Sequence, residues 1–158
     1  GHLGHPLPWE TSLMGTLLRL LILLTLAGTA QAEQVKGFGD LSVHYIALNS
    51  TSVPANVAAD YDLDRGENVA LINIAGRRES GEPGDTTPVP LAVKGTVRNL
   101  LGQTITLTFQ EVREPGAIYY LATTRFTDRE ALRFELTVED LERGERHPLS
   151  FQKTLWAQ

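Results

Sequence analysis

The sequence predicts an all-β domain behind an export signal: an antiparallel, two-sheet, immunoglobulin-like sandwich of about seven strands with one short helix. Two observations carry that prediction. Alternating or continuous apolar runs, six to nine residues long, recur from Leu41 to the end of the chain. Turn-forming Pro and Gly residues separate several of them, as short antiparallel strands require. A closed β-barrel satisfies the same pattern and stands as the alternative.

The strands follow in order. Leu41 to Leu48 is the first apolar run. Asn68 to Ala75 is almost continuously apolar, which predicts a central strand covered on both faces. Val89 to Val97 alternates, and Pro90 marks an edge or a strand start. Thr104 to Phe109 alternates without a break and points Ile105, Leu107 and Phe109 inward. Ala117 to Ala122 is next, then Leu132 to Val138 with Leu132, Phe134, Leu136 and Val138 inward, and finally Leu149 to Leu155. Glu114-Pro115-Gly116 is a tight hairpin turn, and Asn99-Leu100-Leu101-Gly102 is a second. Arg77 to Thr87 has no apolar anchor and is expected to be the most mobile connection. Between the first two strands a short helix is expected, with Ser52 as its cap, Pro54 in its first turn and Val53, Val57 and Tyr61 on one face. It would plug one end of the sandwich.

The N-terminus sets the compartment. Met14 to Ala32 has a short start carrying Arg19, an apolar stretch from Leu20 and a small-x-small end at Ala30-Gln31-Ala32. Those are the parts of a cleavable signal peptide. The apolar stretch is shorter than the roughly 20 residues of a bilayer-spanning helix, so no stable membrane span is expected after cleavage. Retention as an uncleaved anchor and a buried leucine-rich helix are the alternatives. Residues 1–13 precede the chain's single Met and are expected to be an added or over-extended leader. This leaves residues 33–158 as a single β domain, and the periplasm as its location. The absence of cysteine excludes disulfides, thiolate metal sites, cysteine nucleophiles and an N-terminal lipid on cysteine. A net charge of -5 is the wrong sign for a phosphate-binding surface on global charge, so nucleic acid is not an expected partner, although the sum leaves room for a local basic patch.

Several segments together resemble a known family: Tyr61 with Arg65, Leu71-Ile72-Asn73-Ile74, Asn99-Leu100-Leu101-Gly102, and Phe109 to Glu114 leading into Ala117-Ile118-Tyr119-Tyr120. The set is similar to the small exported Gram-negative proteins of domain of unknown function 4426, over nearly all the chain from about residue 35. The resemblance implies export and a single β-rich domain. It implies no activity, so it transfers no catalytic residue.

Few residues stand out chemically. Asp60, Asp62 and Asp64 have the spacing that opens a calcium loop, but Arg65 and Leu71 occupy the positions where that loop needs Gly and Glu; a solvated acidic turn is expected. His44 and His147 make a poor metal set without cysteine, and no metal or cofactor is predicted. Neither Gly-x-Ser-x-Gly nor Ser-x-x-Lys occurs, Gly37 and Gly39 open no helix, and no phosphate loop is present, so no catalytic residue is assigned. Glu111, Glu114 and Asp128 are the carboxylates that a hydrolase would need to converge. The candidate binding residues are Tyr119, Tyr120, Arg65 and Asn73. One of the adjacent tyrosines enters the core and the other faces out, open to recognition. Asn73 interrupts an apolar strand and is expected to tie down a neighbouring backbone. Arg65 is expected in a salt bridge, and Arg77 with Arg78 at a solvated strand end. The expected function is a non-enzymatic binding or interaction module whose partner is a periplasmic protein or a small ligand. A small-ligand carrier with an apolar cavity, or a hydrolase with its site in the end loops, is the alternative.

Overall fold

The computed structural model describes residues 33–158; the leader and signal segments lie outside the described residues. Ten strands, more than the seven expected, form two antiparallel sheets, and neither closes into a barrel. They are β1 (Gln34–Phe38), β2 (Leu41–Asn49), β3 (Val69–Glu79), β4 (Thr86–Val89), β5 (Leu91–Arg98), β6 (Thr104–Leu107), β7 (Gln110–Glu114), β8 (Ala117–Arg125), β9 (Glu130–Asp140) and β10 (Glu145–Leu155). The larger sheet runs β1-β2-β3-β8-β7, with β4 also paired to β3; the smaller runs β10-β9-β5-β6. The strands beyond the expected runs are β1, β4 and β7. Their mostly polar sequences pair through backbone hydrogen bonds, and β4 and β7 each bury a single valine, Val89 and Val112, so apolar periodicity does not mark them.

The two inner faces interdigitate over a core that includes Ile72, Ile74, Val43, Leu41, Val89, Phe134, Val138 and Leu149, all essentially inaccessible to water. At about 25 cal/mol per Å² of buried apolar surface, this layer is the main source of stability. An aromatic seam closes one open side: Phe38 stacks on His147 with centroids 4.4 Å apart, and Phe151 lies 4.7 Å from both Tyr45 and Phe134. The chain changes sheets at Pro90, between β4 and β5, where Leu91 packs against Gly76.

β3 is covered on both faces through Leu71, where its outward residues meet a second apolar layer, but from Asn73 onward its outer face is only partly covered, short of what its continuous apolarity to Ala75 predicts. A helix, α1 (Ala55–Asp60), preceded by a 3-10 turn at Ser50–Ser52, lies over the outer face of the larger sheet. Val53, Val57 and Ala58 pack there with Ile46, Leu48, Leu71, Val112, Tyr119 and Leu121. The helix therefore covers a sheet face and does not plug an end. Ser52 does not cap it; Pro54 occupies the cap position, without a side-chain bond. The connection after β3 is also shorter and tighter than expected. β3 extends to Glu79, and residues 80–85 close a hairpin in which Ser80 N–H donates to Asp85 O at 3.0 Å. Ile105 is a further departure: it is 49 % exposed, on β6 at the edge of the smaller sheet. Among the described residues no helix is long and apolar enough to cross a membrane.

Candidate functional site

A helix of six residues is about 9 Å long, whereas the eleven residues of β3 extend roughly 36 Å. The outer face of the larger sheet is thus only partly covered. Beyond the helix, the outward residues of three strands form an open pocket of about 140 Å³. β3 supplies Asn73, Ala75 and Arg77, β2 supplies His44 (directly opposite Ala75), and β8 supplies Ala117 and Tyr119. Glu33 forms part of the rim.

The polar groups of this pocket are preset. Arg77 is fixed by three hydrogen bonds to neutral acceptors: Nε to Thr86 Oγ1 at 2.7 Å, one terminal nitrogen to Gly116 O at 2.9 Å and the other to Thr86 O at 3.0 Å. No carboxylate pairs with it among the described residues, so a rigid cation with spare N–H groups borders the cavity. Glu33 Oε1 lies 2.6 Å from His44 Nδ1. Burial raises the pKa of the Tyr119 hydroxyl, and the nearby Glu114 and Glu33 carboxylates raise it further against the opposing pull of Arg77. Tyr119 thus stays a neutral donor. Tyr61, at the end of α1, donates to Glu114 Oε1 at 2.9 Å and anchors the helix to β7. Asn73 stands apart from these groups. Its carboxamide oxygen is buried and has no hydrogen-bond partner. Such a group ordinarily costs about 1–3 kcal/mol.

The four candidate residues separate. Tyr119 and Asn73 share this pocket; Tyr120 and Arg65 lie elsewhere. The tyrosines do take opposite faces, but neither is exposed, because the outer face beneath Tyr119 has its own helical cover: Tyr119 is 5 % and Tyr120 is 4 % accessible. Tyr120 enters the inter-sheet core, where its hydroxyl accepts from Leu91 N–H at 2.7 Å and donates to Glu111 at 3.1 Å. Asn73 ties down no backbone; it lines the pocket. Arg65 acts as a backbone clamp: Nε donates to Val53 O at 2.7 Å and a terminal nitrogen to Thr51 O at 3.3 Å, holding the turn that leads into α1. Nor do Arg77 and Arg78 form a solvated strand end; both are engaged in specific bonds. Periodicity missed His44 and Arg77 as pocket residues. Their one sequence signal is parity: both lie on the outward face of their strands.

Glu111 bonds the Tyr120 hydroxyl, Glu114 bonds Tyr61, and Asp128 accepts from Ala157 N–H, so the three carboxylates serve separate structural roles. Among the described residues no group of three or more His, Asp or Glu is placed to hold a metal ion, the Asp60–Asp64 turn included.

A family model described as "Domain of unknown function (DUF4426)" matches residues 35–158. The fold is similar to the crystal structure of a DUF4426 family protein from Pseudomonas aeruginosa PAO1, with 39% sequence identity and a TM-score of 0.67, over 80% of this chain and 96% of that one. It is also similar to FetP of uropathogenic Escherichia coli strain F11. A copper-bound variant of FetP has 11% identity and a TM-score of 0.58, covering 81% of this chain and 97% of its own. FetP as isolated has 11% identity and a TM-score of 0.57, covering 83% and 99%. Among curated proteins none matches this chain in sequence.

Proposed function

The chain belongs to the DUF4426 family, and from that premise we propose that it is an exported, periplasmic, non-enzymatic binding module whose outer-face pocket takes a small polar ligand bearing an anionic group. The observation that carries this reading is the buried, unpartnered Asn73 carboxamide oxygen in the cavity lining. A folded chain gains nothing from a buried orphan acceptor, whereas a ligand that donates to it recovers the lost bond. The Arg77 guanidinium, held by neutral partners, supplies the complementary charge, and the Tyr119 hydroxyl supplies a further donor. Preset groups lower the cost of binding because the protein orders little on ligand entry.

Export rests on the signal-like segment Met14 to Ala32, which lies ahead of the family-matched residues; for an exported chain, the absence of cysteine suits a bacterial periplasm. Fractionation with mass spectrometry tests it: a periplasmic chain starting at Glu33 is expected, and an unprocessed cytoplasmic chain contradicts it. The copper in one FetP structure does not extend to this reading. At 11% identity the likeness is one of fold, and the residues around this pocket do not assemble a copper-ligand set.

The binding test is an NMR titration of the ¹⁵N-labelled protein with glycolate, lactate and malate, each of which joins a carboxylate for Arg77 to a hydroxyl donor for the Asn73 oxygen. Amide shifts are expected to cluster at Asn73 to Arg77 and Ala117 to Tyr119, and to vanish in Asn73→Val. Shifts scattered over the surface, or none at millimolar concentration, overturn the pocket as a site for this ligand class.

A further inference from the structure

The β5–β6 hairpin carries two leucines at its tip, Leu100 at 80 % and Leu101 at 85 % exposure, with Ile105 at 49 % just behind them. Adjacent exposed leucines of this kind mark an interaction surface more often than scattered single residues do. The turn beneath them is closed on itself. Asn99 N–H donates to Gln103 O and Gly102 N–H to Asn99 O, each at 3.1 Å. The Asn99 side-chain oxygen accepts from Leu101 N–H at 3.1 Å and from Gln103 N–H at 2.9 Å, and its amide nitrogen donates to Gln103 Oε1 at 2.7 Å. Four of the five N–H groups from Asn99 to Gln103 are therefore satisfied within the turn. Such a tip loses few hydrogen bonds on leaving water.

The base of the hairpin is cationic. Arg98 stands directly opposite Arg133 in the β5–β9 pairing, and both are exposed. Like charges in that register repel. Arg133 is paired with Glu135 at 3.0 Å, whereas Arg98 has no ion pair among the described residues. A self-satisfied apolar tip above a free guanidinium complements the layering of a phospholipid surface, with acyl chains deeper and anionic headgroups at the boundary.

We propose that the Asn99–Gln103 turn docks the protein onto an anionic phospholipid surface, with Leu100 and Leu101 entering the acyl boundary and Arg98 meeting a headgroup phosphate. β5 runs from Leu91, which packs on Gly76 near the pocket, to Arg98, about 23 Å along the strand at about 3.3 Å per residue, and the tip lies beyond that. Docking leaves the pocket open to its ligand, and the inference is independent of what that ligand is.

The absence of cysteine allows a local test. Leu101→Cys, and separately Leu141→Cys on the β9–β10 turn (Leu141 being 53 % exposed), each give one site for an environment-sensitive fluorophore. Vesicles of phosphatidylethanolamine and phosphatidylglycerol should blue-shift the probe at 101 and leave the probe at 141 unchanged. Arg98→Gln in the Leu101→Cys background should weaken the response about five-fold. No shift at 101, an equal shift at 141, or a shift that follows protein concentration without vesicles overturns the proposal; the last outcome indicates a second copy as the occupant.

Discussion

Arg78 of β3 and Asp140 of β9 join the two sheets through an ion pair across the gap between them, and Asp140 is 1 % exposed. Arg78 also contacts Asp40 at 2.8 Å and Glu142 at 3.3 Å, while Arg143 grips Asp40 at 2.8 Å. The remaining oxygen of Asp140 accepts from the backbone N–H groups of Glu142 and Arg143 at 3.0 and 3.3 Å. The network welds the crossover end of the sandwich next to the strands that carry the pocket.

Removing one member should be costly. Asp140→Asn leaves the half-buried Arg78 short of its most enclosed counter-charge, and losing one partner of a buried pair costs about 3–5 kcal/mol. Urea unfolding should show the midpoint falling with little change in slope. The pair also sets the acid limit. The Arg143 and Arg78 guanidinium groups hold the Asp40 carboxyl below its ordinary range. Burial pushes Asp140 up, but Arg78 and the two backbone donors outweigh it and hold it down. Carboxyls lowered in the folded state contribute stability that is complete above their unfolded pKa, about 3.9, and fades as the pH drops through the folded value. Stability should therefore decline below about pH 4, and Asp140→Asn should flatten that decline.

Tyr120→Phe removes one hydroxyl and strands a buried N–H. Leu91 N–H then has no acceptor just after the chain changes sheets. A loss of about 2 kcal/mol is expected, read by thermal or urea unfolding. Tyr119→Phe, whose hydroxyl makes no comparable backbone bond, should lose less.

Gly95→Ala should be among the most damaging single-methyl additions. A Cβ there would meet the Glu135 carbonyl and sit 2.7 Å from Leu136 Cα, both backbone atoms of the paired strand. Relief requires β5 and β9 to part, and overpacking of this kind costs about 1–3 kcal/mol. A lower unfolding midpoint and faster amide exchange in β5 and β9 would report it.

The sandwich was legible because Leu132 to Val138 and Asn68 to Ala75 carry their burial pattern in the chain itself. The edge strands were not, since QVKGF and TTPV are placed by backbone pairing to neighbours distant in sequence. The helix face at Val53 and Val57 was readable; its seat on the outer face was not, because a strand's alternation does not say what covers its outward side. The same gap hid the burial of Tyr119. The pocket was legible only at Asn73 and Tyr119. His44 and Arg77 join them through strand pairing, which a single sequence does not display.

The most direct test of the binding account is Asn73→Val, measured for stability and for ligand response in the same preparation. A site kept for recognition holds its orphan acceptor at the expense of folding. The variant should be as stable as the parent or more stable by about 1 kcal/mol, with the carboxylate-induced shifts gone. A clear loss of stability, or an undiminished response to carboxylates, would contradict the account and make Asn73 a structural residue.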